Sequence, residues 1–275
     1  MFRSNNVGIG VTNPSWNKNI IIIGIGDVYL KGANNPRSTG DSDRKLVLDP
    51  IEMAKTEPGG KWKISYGSDS GKNGIKQKGD WRNIMILMSY VKGFKLKNVN
   101  IENAHAWAIS CERTINAEIS DIRINSREDQ IINGKKVLIG NRDGIHLRHG
   151  CKNFRINNIS GNTGDDFIAL STLGLYSKDS EGGSINSTMV STRIWKGLED
   201  NTEQIYITNI VCKCFAGRAV AIRANVVASI NNVFINGVIY KGPYCDALLV
   251  GGKGYGHESQ PGEINNIHAM NITGK

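Results

Sequence analysis

From Asn83 to the end of the chain, apolar and polar residues alternate in short runs, most clearly over Asn83–Val91, Phe94–Ile101 and Trp107–Ile124. A period of two marks strands with one face buried, and the turns between these runs are rich in Asn and Gly. An earlier run, Asn19–Lys31 (NIIIIGIGDVYLK), reads as a first strand pair. No segment shows a convincing helical period or a heptad. The longest apolar run, Ile20–Ile25, is far too short to span a membrane.

The alternation also repeats at long range. Similar phrases begin at Trp107 (Trp-Ala-Ile-Ser), Asp143 (Asp-Gly-Ile-His), Asp166 (Asp-Phe-Ile-Ala), Arg218 (Arg-Ala-Val-Ala) and Asp246 (Asp-Ala-Leu-Leu). A short repeat of this kind is the signature of a solenoid, in which each unit is one rung stacked on the last. The sequence therefore predicts an all-β chain, a right-handed parallel β-helix of roughly eight to ten rungs, its hand set by the rule for parallel crossovers. Residues 1–275 are read as a single domain. Ile109, Ile145, Ile168, Val220 and Leu248 share a phase and are expected to form one inward ladder. Uneven repeat intervals place insertions near 126–138 and 173–203, the second carrying Arg193, Trp195 and Lys196. A third stretch, 32–80, loses the alternation and is full of Gly and Pro turns. Its Trp62 and Tyr66, with Trp81 at its edge, read as a cleft wall or as anchors pinning the loops. Solenoids need polar caps, and no N-terminal capping helix is evident, which points to a fragment or a flanking partner.

Composition narrows the function classes. Lys and Arg number 34 against 25 Asp and Glu, a net charge of +9, so a polyanion is the expected partner. The basic residues are spread rather than clustered, so the charge alone chooses neither acidic polysaccharide nor nucleic acid; a polysaccharide, and no nucleic acid, is expected from the candidate chemistry below. Gly24 and Gly26 suggest a dinucleotide loop, but Tyr29 stands where a third glycine would fall and no helix follows. The five cysteines, Cys111, Cys151, Cys212, Cys214 and Cys245, follow no metal or disulfide spacing and read as small buried hydrophobes. The N-terminus shows no signal peptide, as in a mature secreted protein.

The candidate chemistry lies between Gly140 and Thr172. Asp143 and Asp166 are 23 residues apart at the same phase, with Asp165 beside the second. Neighbouring rungs are about 4.8 Å apart, so three carboxylates crowd one column. They cannot all ionise cheaply, and one is pushed toward its acid form. A protonated carboxyl beside ionised ones is what glycoside hydrolysis needs. Rung spacing near 5 Å by itself suggests a retaining pair. The plainer alternative is that these acids cap turns or hold a structural cation. His146 and His149 are three apart in a strand, point to opposite faces, and are not expected to share a metal. No metal and no cofactor is predicted.

Asn141-Arg-Asp143-Gly-Ile and Gly164-Asp165-Asp166-Phe-Ile-Ala resemble the Asn-X-Asp and Gly-Asp-Asp motifs of the polygalacturonase-like glycoside hydrolases, family 28 of the pectin-lyase-like β-helices. The resemblance implies an inverting hydrolase, with Asp166 protonating the leaving oxygen and Asp143 and Asp165 holding the attacking water. It further implies an extracellular or periplasmic enzyme of polysaccharide degradation. Two motif positions differ: Gly217-Arg218-Ala219 stands where that family has Gly-His-Gly, and Leu249-Val250-Gly251 where it has Arg-Ile-Lys. Candidate substrate-binding groups are Asn141 from the motif, with His146, Arg148, Arg218, Arg223 and Lys253. Arg148 and Arg223 share a phase, and a guanidinium can grip a carboxylate in bidentate fashion. Two other classes stay open: a lyase of the same fold using Arg218 as base, with the aspartates on calcium, and a non-catalytic glycan-binding β-helix of the tail-spike or adhesin kind.

Overall fold

The computed structural model describes residues 2–4, 15–32, 63–65, 84–104, 106–126, 129–132, 135–140, 142–172, 197–224, 228–243, 245–254 and 257–274. Most of the 32–80 insertion and residues 173–196, with Trp62, Tyr66, Trp81, Arg193, Trp195 and Lys196, lie outside them. Its strands form a right-handed parallel β-helix. Seven strands stack in one column: Asn17–Ile23, Ile86–Glu102, Ile109–Asn125, Lys152–Thr163, Thr202–Cys214, Ile230–Tyr240 and Ile264–Thr273. A second column stacks the first residues of the Ile86 and Ile109 strands with four short strands. These are Ile145–Leu147, Ile168–Ser171, Val220–Arg223 and Leu248–Val250. The expected ladder is the observed one: Ile109, Ile145, Ile168, Val220 and Leu248 stand in register. All but Leu248 are fully buried.

Each rung turns its corners at residues with left-handed backbone. One corner stacks Asn98, Asp121, Asn158, Asn209, Gly237 and Asn271, all with φ between 55° and 76°. Asn and Asp adopt this region more readily than other side-chain-bearing residues, because their short polar groups bond locally. Here they also bond across rungs: Asn158 Nδ2 donates to Asp121 Oδ1 at 2.7 Å, and Asn271 Nδ2 to Asn236 Oδ1 at 2.8 Å. The Asn-rich turns seen in the sequence are thus the edges of a prism rather than loops leaving it. Between corners the inward residues interleave in size, as in Phe94, Ala117, Phe154, Ile205 and Val233. Large facing small lets successive rungs close without voids.

Two expectations change in detail. Asn17–Ile23 and Tyr29–Lys31 do not pair with each other; both lie parallel to the Ile86–Glu102 strand, one after the other. The 126–138 insertion is a strand hairpin, Asp129–Ile132 antiparallel to Lys135–Gly140. Lys63–Ser65, from the 32–80 stretch, adds to it in parallel, so parts of two insertions satisfy each other's backbone groups. The hairpin ends at Gly140 and feeds directly into the rung that carries Asp143.

Candidate active site

The start of the short-strand column positions the acids. The amide of Gly144 donates to the Asp166 carbonyl, and that of Phe167 to the Arg218 carbonyl, both near 2.9 Å. Asp143, Asp166 and Arg218 therefore occupy one phase in three successive rungs, with Trp107 before them through Ala108 N–H to Asp143 C=O. Glycine is required where these rungs press together. A Cβ on Gly217 would lie 2.1 Å from the Asp165 carbonyl carbon and 2.2 Å from the Asp166 nitrogen, well inside contact distance.

Asp166 is held from the next rung. The Arg218 backbone N–H donates to its Oδ1 at 2.8 Å, and Arg218 Nη1 stands 3.6 Å from the same oxygen. Its side chain is 15% exposed. Burial raises the Asp166 pKa above the usual carboxylate range, and the attraction of Arg218 and Arg223 offsets this only in part. Asp165, next to it, caps its neighbour: the Asp166 N–H donates to Asp165 Oδ1 at 3.0 Å. The Asp165 backbone is fixed by its own N–H to Arg142 C=O and by the Thr163 hydroxyl on its carbonyl. Burial would lower the Arg218 pKa, but the Asp166 and Asp165 carboxylates and the Cys245 thiol raise it, so this guanidinium holds its proton firmly.

Asp143 faces the other way. Its Oδ2 lies 2.7 Å from His146 Nδ1. The far nitrogen of that imidazole, Nε2, is 2.6 Å from Ser171 Oγ on the following rung. The ring leans on Trp107, with centroids 3.9 Å apart, and the Arg148 guanidinium sits over the same indole at 5.5 Å. Asp143, His146, Arg148 and Ser171 are all buried. Burial first, and then the Arg148 charge, push the His146 pKa well below its ordinary value. Among the described residues His146 Nδ1 is a buried nitrogen without a hydrogen-bond partner, so its short contact with Asp143 is a charge contact and not a hydrogen bond. Below this group, Arg113 pairs with Glu112 and, through Nε at 2.7 Å, with Asp200, forming a buried ionic floor.

The structure thus brings Asp143, Asp165, Asp166, His146, Arg148, Arg218 and Arg223 onto three adjacent rungs in two groups, Asp143 with His146 and Arg148, and Asp165 and Asp166 with Arg218 and Arg223. Arg148 is too enclosed to be a solvated charge, whereas Arg218 and Arg223 are partly exposed. Lys253 stands exposed on a two-residue strand antiparallel to His257–Glu258, not on the parallel column that carries the others. Asn141 lies outside the described residues. Sequence reasoning missed Ser171, although it shares the phase of Arg148 and Arg223: Leu147 pairs with Leu170, and Ser171 with Arg223. It also missed Trp107 as a wall of the site.

Residues 53–178 match the family model of Glycosyl hydrolases family 28. The matched stretch contains both acidic rungs and Ser171 and ends before Arg218, so the part of the chain that carries the aspartates is that of a glycoside hydrolase. This agrees with the resemblance read from the two motifs, and it makes a polysaccharide the substrate class. No curated protein and no solved structure gave a significant match.

Proposed function

We propose that this protein hydrolyses glycosidic bonds of an acidic polysaccharide with inversion, outside the cell or in the periplasm. Asp166 acts as general acid, and Asp143 and Asp165 hold and activate the water. The observation that carries this reading is Asp166: a buried carboxyl kept toward its acid form, yet open enough at one edge to meet a glycosidic oxygen. As the bond breaks, its proton passes to the leaving oxygen while a neighbouring carboxylate accepts a proton from water. Arg218, where the family motif has a histidine, sets the charge around this acid and supplies a cation beside the cleavage point. Inversion rests on the resemblance to the family. The lyase alternative is weakened by Arg218 itself, because a guanidinium whose proton is held by two carboxylates is a poor base.

The test is release of reducing ends across a panel of acidic and neutral polysaccharides, with the anomer of the first-formed product read by NMR. Cleavage of an anionic glycan with inverted anomer is expected. Asp166→Asn should lower turnover by about 10²–10⁴-fold, the range for a lost general acid, with binding kept. Activity within a few-fold of the parent in that variant would remove Asp166 from the role of general acid, and binding with no cleavage of any glycan would favour a non-catalytic binding protein.

A further inference from the structure

We propose that Tyr240 is a positioning residue for Asp166, acting on that carboxyl through the Gly217–Arg218 peptide. The inference rests on the reading of Asp166 as general acid. The two ends of one peptide group carry it. At one end the Tyr240 hydroxyl donates to the Gly217 carbonyl at 2.8 Å. At the other the Arg218 N–H donates to Asp166 Oδ1, also at 2.8 Å. A peptide group is planar and trans, so its C=O and N–H point opposite ways. Phenol, peptide and carboxyl thus form one chain of hydrogen bonds. Bonds in such a chain polarise one another, by about 10–30% per bond. A donor on the Gly217 oxygen makes the Arg218 amide a better donor to Asp166.

Packing leaves this chain little freedom. Tyr240 ends the Ile230–Tyr240 strand in register with Cys212 on the rung before, and it is buried. Its hydroxyl is therefore closed off from a bound glycan and reaches the chemistry only through the peptide. Gly242 backs it: a Cβ there would lie 1.9 Å from the Tyr240 oxygen. Gly217 presses on the Asp165–Asp166 peptide at its other side. Burial first, and then the charges of Cys214, Cys245, Cys212 and Asp166, raise the Tyr240 pKa, so the phenol keeps the proton it shares.

Proton donation to a leaving oxygen turns Asp166 into a carboxylate. A stronger amide donor stabilises that form and holds Oδ1 in place as its charge develops. Tyr240 thereby works with the Arg218 guanidinium against burial, which favours the acid. The phenol proton stays on Tyr240 throughout. Without the hydroxyl the Gly217 carbonyl loses its partner, the amide weakens, and Asp166 holds its proton more tightly.

The test is Tyr240→Phe, which removes the hydroxyl and keeps the ring. The Asp166 carboxyl is followed by carbon-13 NMR of aspartate-labelled protein, its signal identified by its loss in Asp166→Asn. Its pKa is expected to rise in Tyr240→Phe. On a glycan that the parent cleaves, kcat should fall about 3–10-fold, the size of one neutral hydrogen bond, with KM unchanged. The alkaline limb of kcat/KM should move to higher pH in step. An Asp166 signal that titrates as in the parent overturns the proposal. So does a loss of kcat with no movement of the limb, which marks a merely structural role. The NMR reading needs no substrate: a raised pKa in a protein that cleaves no glycan would uphold the link and count against the hydrolase reading instead. Where Tyr240→Phe fails to fold, the unmodified protein decides the matter. The ring-carbon signal of Tyr240 should shift as Asp166 ionises, and that step should vanish in Asp166→Asn. A Tyr240 signal that stays flat through the Asp166 titration overturns the proposal.

Discussion

Arg218 holds one oxygen of Asp166 by two routes, a backbone N–H at 2.8 Å and a guanidinium nitrogen at 3.6 Å. The cation favours the ionised carboxyl and so works against burial, which favours the acid. The Asp166 pKa is a balance between the two, and the balance is testable. Arg218→Ala removes the cation, ionisation becomes harder, and the pKa rises further. Since Asp166 must be protonated to act as acid, activity should fall as pH rises through that pKa. The alkaline limb of kcat/KM should move to higher pH in the variant. A limb that stays put, or moves down, would show that Asp166 is not the titrating acid.

Gly217 shows how tightly the acids are framed. Its ideal Cβ meets backbone, not the flexible end of a side chain, at 2.1 and 2.2 Å. Gly217→Ala must therefore push the Asp165–Asp166 peptide aside. Overpacking of this kind costs about 1–3 kcal/mol. A lower midpoint in urea is expected, together with a fall in kcat larger than the change in KM, because the displaced peptide carries the acid. Unchanged stability and kinetics would mean that the rungs can separate freely at this point.

His146 gives the fold a pH dependence of known sign. Its folded pKa lies well below the ordinary value of about 6.5 that the unfolded chain retains. Below pH 6.5 the unfolded state binds a proton that the folded state refuses. Stability contributed by the neutral ring is thus present above that pH and is lost as pH falls toward the folded pKa. The slope for one proton is about 1.4 kcal/mol per pH unit. Urea titrations from pH 7 to 5 should show this loss, and His146→Asn should remove about one proton's worth of it. A variant with the parent's slope would assign the dependence to other groups.

Which features could be read in advance follows from what each depends on. The Ile109–Ile145–Ile168–Val220–Leu248 ladder was legible because stacking repeats phase, and phase is written in the alternation. The same logic placed Asp143 on Asp166 and Arg148 in the column of Arg223. What phase cannot carry is side-chain direction. Asp143 and Asp166 share a column, yet one carboxyl turns to His146 and the other to Arg218. The choice depends on which neighbour lies within reach, a property of the packed rungs. Ser171 was overlooked for a related reason: a serine in a strand is unremarkable until an imidazole from the rung before ends at its hydroxyl. The corner asparagines were noticed as turns, but their left-handed backbone at Asn158 and Asn209 bends strands without ending them.

The last prediction concerns the charge of the substrate. The chain carries a net charge of +9, and its partly exposed cations include Arg218 and Arg223, both grouped with Asp166. An anionic glycan would be drawn there by exposed charge, which salt screens over about 8–10 Å near physiological ionic strength. KM for an acidic oligosaccharide should therefore rise steadily with added salt, while KM for a neutral oligosaccharide of equal length stays flat. Arg223→Gln should raise KM for the acidic substrate and flatten its salt dependence, because one exposed cation is gone. Arg148→Gln differs in kind: Arg148 is buried against Trp107, and its loss should act through stability and the His146 environment rather than through the salt slope. Steady-state kinetics at several ionic strengths separate these outcomes. Equal KM values for acidic and neutral substrates at every ionic strength would remove the case for an anionic glycan and leave the positive surface without a part in recognition.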